Sequence, residues 1–252
     1  MNNSTRNIAK WMMPLSLGLI MMACSQDDEM PKEGYSQVTL KSTAKADAGS
    51  TSENSRMDLG AMTVSSFQVG TKDMEMKYMS QAEVSAGISI GNGTLLTNLS
   101  AELGSEVTKE KSLVLVADGE SKVEVIGEGE TPNGSYTEVI FKLHKHTDGE
   151  MKDKSLMVMG EMEGKTTEVW FSAEKQLRAA AESSNGYKVE GNTDMTVVFD
   201  MEAMFDGVDI STALDANADG IVEIGPGNVD GNGLLYSQVE SNLESAVMLK
   251  KQ

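Results

Sequence analysis

The chain has 252 residues, one cysteine and a formal net charge of −18. Binding to nucleic acid phosphates requires clustered Lys and Arg, so we do not expect a chain this acidic to bind nucleic acid. A lone cysteine excludes an intrachain disulfide and a cysteine-based metal centre, so the core depends on packing alone.

The first 23 residues have the parts of a secretory signal. Arg6 and Lys10 precede an apolar run that ends at Ala23, and the run is too short to span a bilayer as a permanent helix. With Ala23 directly before Cys24, the segment resembles a bacterial lipoprotein signal, in which the cysteine becomes the lipidated first residue. The alternative is an ordinary secretion signal followed by an unrelated cysteine. We interpret residues 1–23 as a lipoprotein signal peptide, whose removal changes the net charge to −20.

Residues 24–34 form an acidic tether in this interpretation. The stretch "SQDDEMP" carries Asp27, Asp28 and Glu29, and it resembles the signal that exports lipoproteins of Bacteroidetes-type bacteria to the outer face of the outer membrane. A solvated start to a linker is the alternative. We expect a lipid anchor in the outer membrane that places the protein at the cell surface, with the periplasmic face still open.

Residues 35–205 alternate apolar and polar side chains in short segments separated by turn residues, which is typical of strands. "KSLMVMGEMEGKTTEVWFSA" predicts a hairpin that turns at Glu163-Gly164, and "GYKVEGNTDMTVVFD" predicts another that turns at Gly191-Asn192. Without a long helical pattern between them, the strands favour an all-β fold, an antiparallel β-sandwich in one domain.

Residues 206–252 follow a different pattern, with an oxygen-rich loop and then a helix. Apolar residues in "GLLYSQVESNLESAVML" recur at helical spacing, which predicts a short amphipathic α-helix. The predicted buried face consists of Leu235, Val239, Leu243, Ala246 and Val247.

Four segments together resemble a family of uncharacterised Bacteroidetes-type lipoproteins built on a conserved domain of unknown function. They are "SSFQVGTKDMEMKY", "ETPNGSYTEVIFKLH", "GEMEGKTTEVWFSAEKQL" and "LDANADGIVEIGPGNVDGNG". The resemblance runs from about Tyr35 to the C-terminus. It implies a prealbumin-like or immunoglobulin-like sandwich and a lipid anchor, and it implies no reaction.

The stretch "DANADGIVEIGP" has most of the ligand positions of an EF-hand calcium loop. Side-chain oxygens stand at Asp215, Asn217 and Asp219, Ile221 offers a carbonyl at the seventh position, and Glu223 fills the ninth. Gly220 occupies the bend and Val222 is placed to attach the loop to the core. This predicts calcium as the cofactor.

The twelfth EF-hand position is Pro226, which has no side-chain oxygen. We therefore expect a looser loop, like those of dockerins and thrombospondin repeats, in which the chain doubles back. The missing oxygens would come from Asp230, Asn228 or Asn232, and we assign Asp230. The alternative is an acidic surface turn that holds no ion.

The histidine pair near residue 145 and Trp170 each allow a functional and a purely structural interpretation. His144 and His146 lie at strand spacing and offer ligands for copper or zinc, but alternation alone explains the spacing and they share a face with Glu138 and Lys142. Trp170 would stack on a sugar if exposed, and we favour a buried position for it.

The sequence contains none of the common catalytic signatures, neither Gly-x-Ser-x-Gly nor His-Glu-x-x-His. We therefore expect no enzyme but a calcium-stabilised structural or binding module, with a glycan or another surface protein as its partner. The alternative is a surface lipoprotein that binds or degrades glycans.

Overall fold

A computed structural model describes residues 34–46, 57–82, 95–101 and 110–252. These residues belong to one compact unit, Pro31–Gln252. The predicted signal peptide, Cys24 and the acidic residues at 27–29 lie outside the described residues. No helix in the described ranges is both long and apolar enough to cross a membrane.

Most of the described chain forms β-strands, as the alternating pattern predicts. The strands are β1 (Tyr35–Lys45), β2 (Asp58–Leu59), β3 (Met62–Ala82), β4 (Leu95–Ala101), β5 (Lys111–Ala117), β6 (Glu120–Ser121), β7 (Val123–Pro132), β8 (Gly134–Leu143), β9 (Leu156–Met162), β10 (Lys165–Phe171), β11 (Gln176–Ala181), β12 (Tyr187–Val189), β13 (Thr193–Asp200), β14 (Ile221–Ile224) and β15 (Val247–Lys251). Two α-helices, α1 (Met201–Met204) and α2 (Gly233–Asn242), and two 3-10 segments, Ile210–Thr212 and Pro226–Gly231, join the later strands.

The strands form one mixed sheet, so the expectation of a purely antiparallel arrangement is wrong. Its order is β14-β10-β9-β3-β8-β11-β15-β13-β1-β7, with β2, β4, β5, β6 and β12 pairing off this path. Three of the strand pairs along that path are parallel: β1 with β13, β10 with β14 and β11 with β15. Parallel pairs need long connections between their strands, and local alternation carries no information about which distant strands pair.

One of the two predicted hairpins is confirmed. Met162 of β9 pairs with Lys165 of β10 across Glu163-Gly164, and both turn residues have positive φ, 51° and 79°. Positive φ at both central positions is the backbone of a type I′ turn, which glycine favours.

The hairpin predicted at Gly191-Asn192 does not form, because β12 and β13 pair with different strands. β12 pairs with β8, whereas β13 pairs with β1 and β15. The Gly191 N–H donates to the Ser36 hydroxyl over 2.6 Å, which attaches this bend to β1.

The C-terminal helix is shorter than predicted. It ends at Asn242, and the chain turns so that Val247 begins β15, a strand that lies between β11 and β13. Val247 and Leu249 are buried and alternate with Met248 and Lys250. The same residues also fit the period of two of a strand. In a strand paired on both sides, their main-chain N–H and C=O groups have hydrogen-bond partners, whereas the last carbonyls of a helix lack partners within the helix. Residues 206–252 thus contribute β14 and β15 to the same sheet as residues 35–205.

The core contains aromatic contacts between strands that are distant in the sheet order. The Phe199 ring on β13 lies 5.5 Å from Phe67 on β3 and 6.1 Å from Phe141 on β8. In a flat sheet, β3 and β13 would be roughly 19 Å apart, because four strand spacings of about 4.8 Å separate them. The sheet therefore curves strongly enough to bring the inner faces of these strands together.

Candidate metal centre

The candidate calcium loop lies at one edge of the sheet, where β14 pairs in parallel with β10. Val222 and Ile224 of β14 point into the protein and are 2% and 0% exposed. Val222 therefore attaches the loop to the sheet as its position in the motif predicts. The residues from Asp215 to Gly220 precede this strand in bends and irregular backbone.

Two side chains of the motif shape the turn by accepting main-chain hydrogen bonds. Asn217 Oδ1 accepts from the Asp219 N–H over 2.9 Å, and Asp219 Oδ1 accepts from the Ile221 N–H over 2.9 Å. Asn and Asp commonly form such turns with the main chain two residues ahead. Ala218 and Gly220 have φ of 60° and 91°, so the chain passes twice through the left-handed region. The alternating Asp-x-Asn-x-Asp spacing thus produces a tight loop.

The segment after Pro226 folds back onto the loop and brings Asp230 to it. Asp230 is 7% exposed, and its two carboxylate oxygens accept from the N–H groups of Asn217 and Glu223 over 3.2 and 3.0 Å. The structure therefore places Asp230 between the beginning and the end of the motif.

Asn228 and Asn232 have other contacts. Asn232 Oδ1 accepts from the Leu214 N–H, and its Nδ2 donates to the carbonyls of Leu214 and Glu223. Asn228 Oδ1 accepts from the N–H of Gly233, at the start of α2. Both amides hold the chain in place around the loop, a role that the sequence did not reveal.

One carboxylate oxygen of Asp215 is buried, and none of the described residues donates a hydrogen bond to it. Its side chain is 7% exposed, and Oδ2 lies 3.4 Å from Lys165 Nζ. Its Oδ1 is buried and has no hydrogen-bond partner in the part of the chain that the structure describes. Burial of a charged oxygen without a donor or cation is costly, so Asp215 Oδ1 is the atom of this loop with most to gain from a bound cation.

Glu223 lies beside a second carboxylate from the neighbouring strand. It pairs in register with Glu168 of β10, and Glu168 itself forms an ion pair with Lys154. The pKa of Glu223 is raised, first by burial and then by the negative charges of Glu168, Asp230 and Asp219, while Lys154 opposes the shift. Sequence analysis missed Glu168 and Lys165, because their proximity depends on the non-local pairing of β10 with β14.

The residues present suit a hard cation in type but do not form a closed shell. Carboxylate, amide and main-chain oxygens are the ligands that calcium prefers. However, no group of three or more His, Cys, Asp or Glu is arranged to hold a metal ion in the ranges that the structure describes. Asn217, Asp219 and Asp230 instead accept hydrogen bonds from N–H groups of the loop. The buried, unpartnered oxygen of Asp215 is the feature that fits a cation best.

Trp170 lies next to this site and is only half-buried, whereas its neighbour Phe171 is 1% exposed. Trp170 therefore lies between the buried position that we favoured and the exposed position that sugar stacking would need. Lys154 Nζ lies 5.6 Å from the centre of the indole ring. A Cβ at Gly225 would lie 2.5 Å from the ring, so glycine allows the chain after β14 to pass along the indole edge.

A cavity of about 380 Å³ lies between the β2–β3 turn and residues 202–210. Its lining combines buried apolar side chains with carboxylates. The carboxylates are Asp58, Glu202, Asp206 and Asp209, and the apolar residues include Leu59, Phe205 and Ile210.

Comparisons of the chain with protein-family models, with curated proteins and with solved structures found no significant match.

Proposed function

We propose that this protein is a calcium-stabilised structural or binding module without catalytic activity, held at the bacterial surface by a lipid on Cys24. The observation that carries the calcium proposal is the buried Asp215 Oδ1, which has no hydrogen-bond partner among the described residues. Asp219, Glu223 and Asp230 supply further oxygens in the same loop, with Asn217 and the Ile221 carbonyl. Bound calcium would supply positive charge where these groups crowd negative charge.

Calcium binding would stabilise the fold because the loop connects β14 with the segment that leads into α2. The loop precedes β14, and its closing segment leads into α2. Asp230 and Asn232 already join both ends of it by hydrogen bonds. A cation that binds only the folded chain would raise the free energy of unfolding by about 2.7 kcal/mol at a hundredfold excess over its dissociation constant.

The proposed location rests on the beginning of the chain. The charged start, the short apolar run and Ala23-Cys24 support a lipoprotein signal, and "QDDE" after the cysteine supports export to the outer face of the outer membrane. At that surface the partner would be a glycan or another protein.

We also propose that the curved sheet is a β-sandwich. The contact between Phe67 and Phe199 supports this arrangement, because two packed sheets bring side chains from strands of opposite layers together. A sandwich would place the calcium loop at an edge of one layer, where β14 lies.

Calcium should raise the melting temperature of the purified chain, and Asp215→Asn should remove most of the rise. We expect a dissociation constant of about 10⁻⁴ to 10⁻³ M, the range of extracellular modules, because the twelfth-position glutamate is missing. Calorimetric titration measures the dissociation constant, and thermal melts with and without a chelator measure the rise in melting temperature.

Asp153→Asn is the matched control, since it removes one carboxylate from an exposed turn outside the loop. It should leave the calcium effect unchanged. Equal melting curves for the calcium-loaded and chelated parent protein would refute the calcium proposal.

Glycan binding is the second candidate function, and the carboxylate-lined cavity supports it. Carboxylates accept hydrogen bonds from sugar hydroxyls, and the apolar residues in the lining, Leu59, Phe205 and Ile210, suit the carbon face of a ring.

A further inference from the structure

His144 and His146 lie just beyond the end of β8, and their ring centres are 5.8 Å apart. Sequence alternation placed them on the polar face with Glu138 and Lys142. The structure instead makes His144 only 13% exposed and His146 half-buried. The two imidazoles therefore form a mostly buried pair.

Each ring has a buried nitrogen for which the described residues supply no hydrogen-bond partner. These atoms are His144 Nδ1 and His146 Nε2. Buried polar atoms almost always have a partner, and an unpartnered one calls for an explanation such as a bound ion. Two such atoms on neighbouring imidazoles point to one shared ligand.

Gly70 of β3 packs directly against the two histidines. A Cβ at Gly70 would lie 2.1 Å from the His144 carbonyl oxygen and 2.7 Å from His146 Nε2, closer than real Cβ contacts allow. Only glycine therefore lets β3 approach this close to the histidine pair.

Glu110 lies beside the other nitrogen of the His144 ring. Its Oε2 lies 3.2 Å from His144 Nε2, and an N–H donated from Nε2 to this carboxylate would leave the Nδ1 lone pair free for a metal. Metal-ligating histidines commonly donate their other N–H to a carboxylate in this way.

Glu174 is placed to complete the site. Its Oε1 lies 3.6 Å from His144 Nδ1, which is too far for a hydrogen bond. Two ligands of one tetrahedral zinc ion are roughly 3.4 Å apart, given metal–ligand bonds of about 2.0–2.2 Å. Glu174 also accepts from Lys72 Nζ over 2.7 Å, so its second oxygen or a rotation would serve the metal.

We propose that His144 Nδ1 and His146 Nε2 bind a divalent transition metal of the zinc class, with Glu174 as the carboxylate ligand and Glu110 as a positioning residue. Two imidazoles and one carboxylate suit zinc, cobalt or copper, and water would take the remaining position. The described residues contain no preassembled group of three such donors, so metal binding would draw Glu174 inward from Lys72.

The surroundings of His146 favour its neutral form. Burial lowers the pKa of His146, as does the charge of His144, while Asp148 and Glu110 act in the opposite direction. The neutral imidazole is the metal-binding form.

Titration of the purified full chain with Zn²⁺ in the presence of saturating Ca²⁺ tests the proposal. We expect one saturable site at pH 7.5 that weakens at pH 5.5, and zinc X-ray absorption of the parent protein should show two imidazole ligands. His146→Ala should abolish the site, and Glu110→Gln should weaken it about tenfold to a hundredfold. The matched control Glu182→Gln, an exposed glutamate paired with Lys250, should bind zinc as the parent does.

Absence of saturable zinc binding, or a zinc site without imidazole ligands in the parent protein, would overturn the proposal even if His146→Ala fails to fold. Unchanged affinity in folded His146→Ala would overturn it as well. Asp215→Asn separates the two metal proposals, because it removes a calcium ligand and should leave zinc affinity unchanged.

Discussion

At the scale of single residues, Asp215 and Glu223 each place a partly buried carboxylate in the candidate calcium loop. Asp215 buries an oxygen that accepts no hydrogen bond from the described residues, and Glu223 responds to burial and neighbouring carboxylates with a raised pKa. The raised pKa means that its surroundings disfavour the charged form of Glu223. The loop therefore concentrates negative charge, which a bound cation would reduce.

Glu223→Gln should stabilise the calcium-free protein at pH 7. A carboxyl whose pKa is raised by folding stabilises the folded state below its ordinary pKa, and this contribution is lost as the pH rises through the raised pKa. The difference between the variant and the parent should therefore grow from about pH 4.5, the ordinary value, toward neutral pH. Chemical unfolding across this range with chelator present measures it.

The same substitution should reduce the stabilisation that calcium provides, because it removes a charged ligand. Lower stability of Glu223→Gln than of the parent at pH 7 without calcium would contradict the repulsion that we describe. Glu163→Gln is a suitable control, since it removes one exposed carboxylate from the β9–β10 turn.

At the scale of elements, one apolar pattern in the C-terminal segment is shared between the helix α2 and the strand β15. Leu235 and Val239 face the core from α2, and Leu243 and Ala246 are buried in the turn that follows it. Val247 and Leu249 are buried in β15. Every residue of the predicted helical face is thus buried, although the helix itself ends at Asn242.

Leu249→Ala should cost about 2–5 kcal/mol of unfolding free energy, the usual range for truncating a fully buried leucine. Leu249 is 0% exposed in a strand between β11 and β13. Urea unfolding measures the loss. The control Lys250→Ala, which removes a partly exposed ion pair with Glu182, should cost less than about 1 kcal/mol. Similar small losses for both variants would show that this segment is not an inner strand.

At the scale of the whole molecule, the acidic net charge bears on the proposed surface location. The formal net charge of −18 becomes more negative once Arg6 and Lys10 are removed with the proposed signal. So acidic a protein repels itself, and divalent cations reduce that repulsion. A surface location, where calcium is more abundant than in the cytoplasm, would suit both its charge and its loop.

Cys24→Ser should release the protein from the membrane fraction, because no other cysteine is present to carry a lipid. Cell fractionation together with metabolic labelling by a fatty acid measures the loss. Asp215→Asn should stay in the membrane fraction, since it leaves the cysteine intact. A serine variant that remains membrane-bound would require another anchor.

The sequence by itself determined the features that depend on neighbouring residues. Alternation of side chains predicted the strands, Glu163-Gly164 predicted a tight hairpin that the structure confirms, and the motif spacing placed Val222 in the core. Period two and positive φ are local properties of the backbone, so a short window of sequence contains them.

Only the tertiary structure decided the features that depend on which distant segments meet. Parallel pairing of β10 with β14 placed Glu168 beside Glu223, and the fold-back after Pro226 brought the Asp230 carboxylate to Asn217. Packing just beyond the end of β8 left His144 and His146 only partly exposed, whereas alternation had placed them on a polar face. Strand order and register are set by summed packing and hydrogen bonding over the whole sheet, and no single segment carries that information.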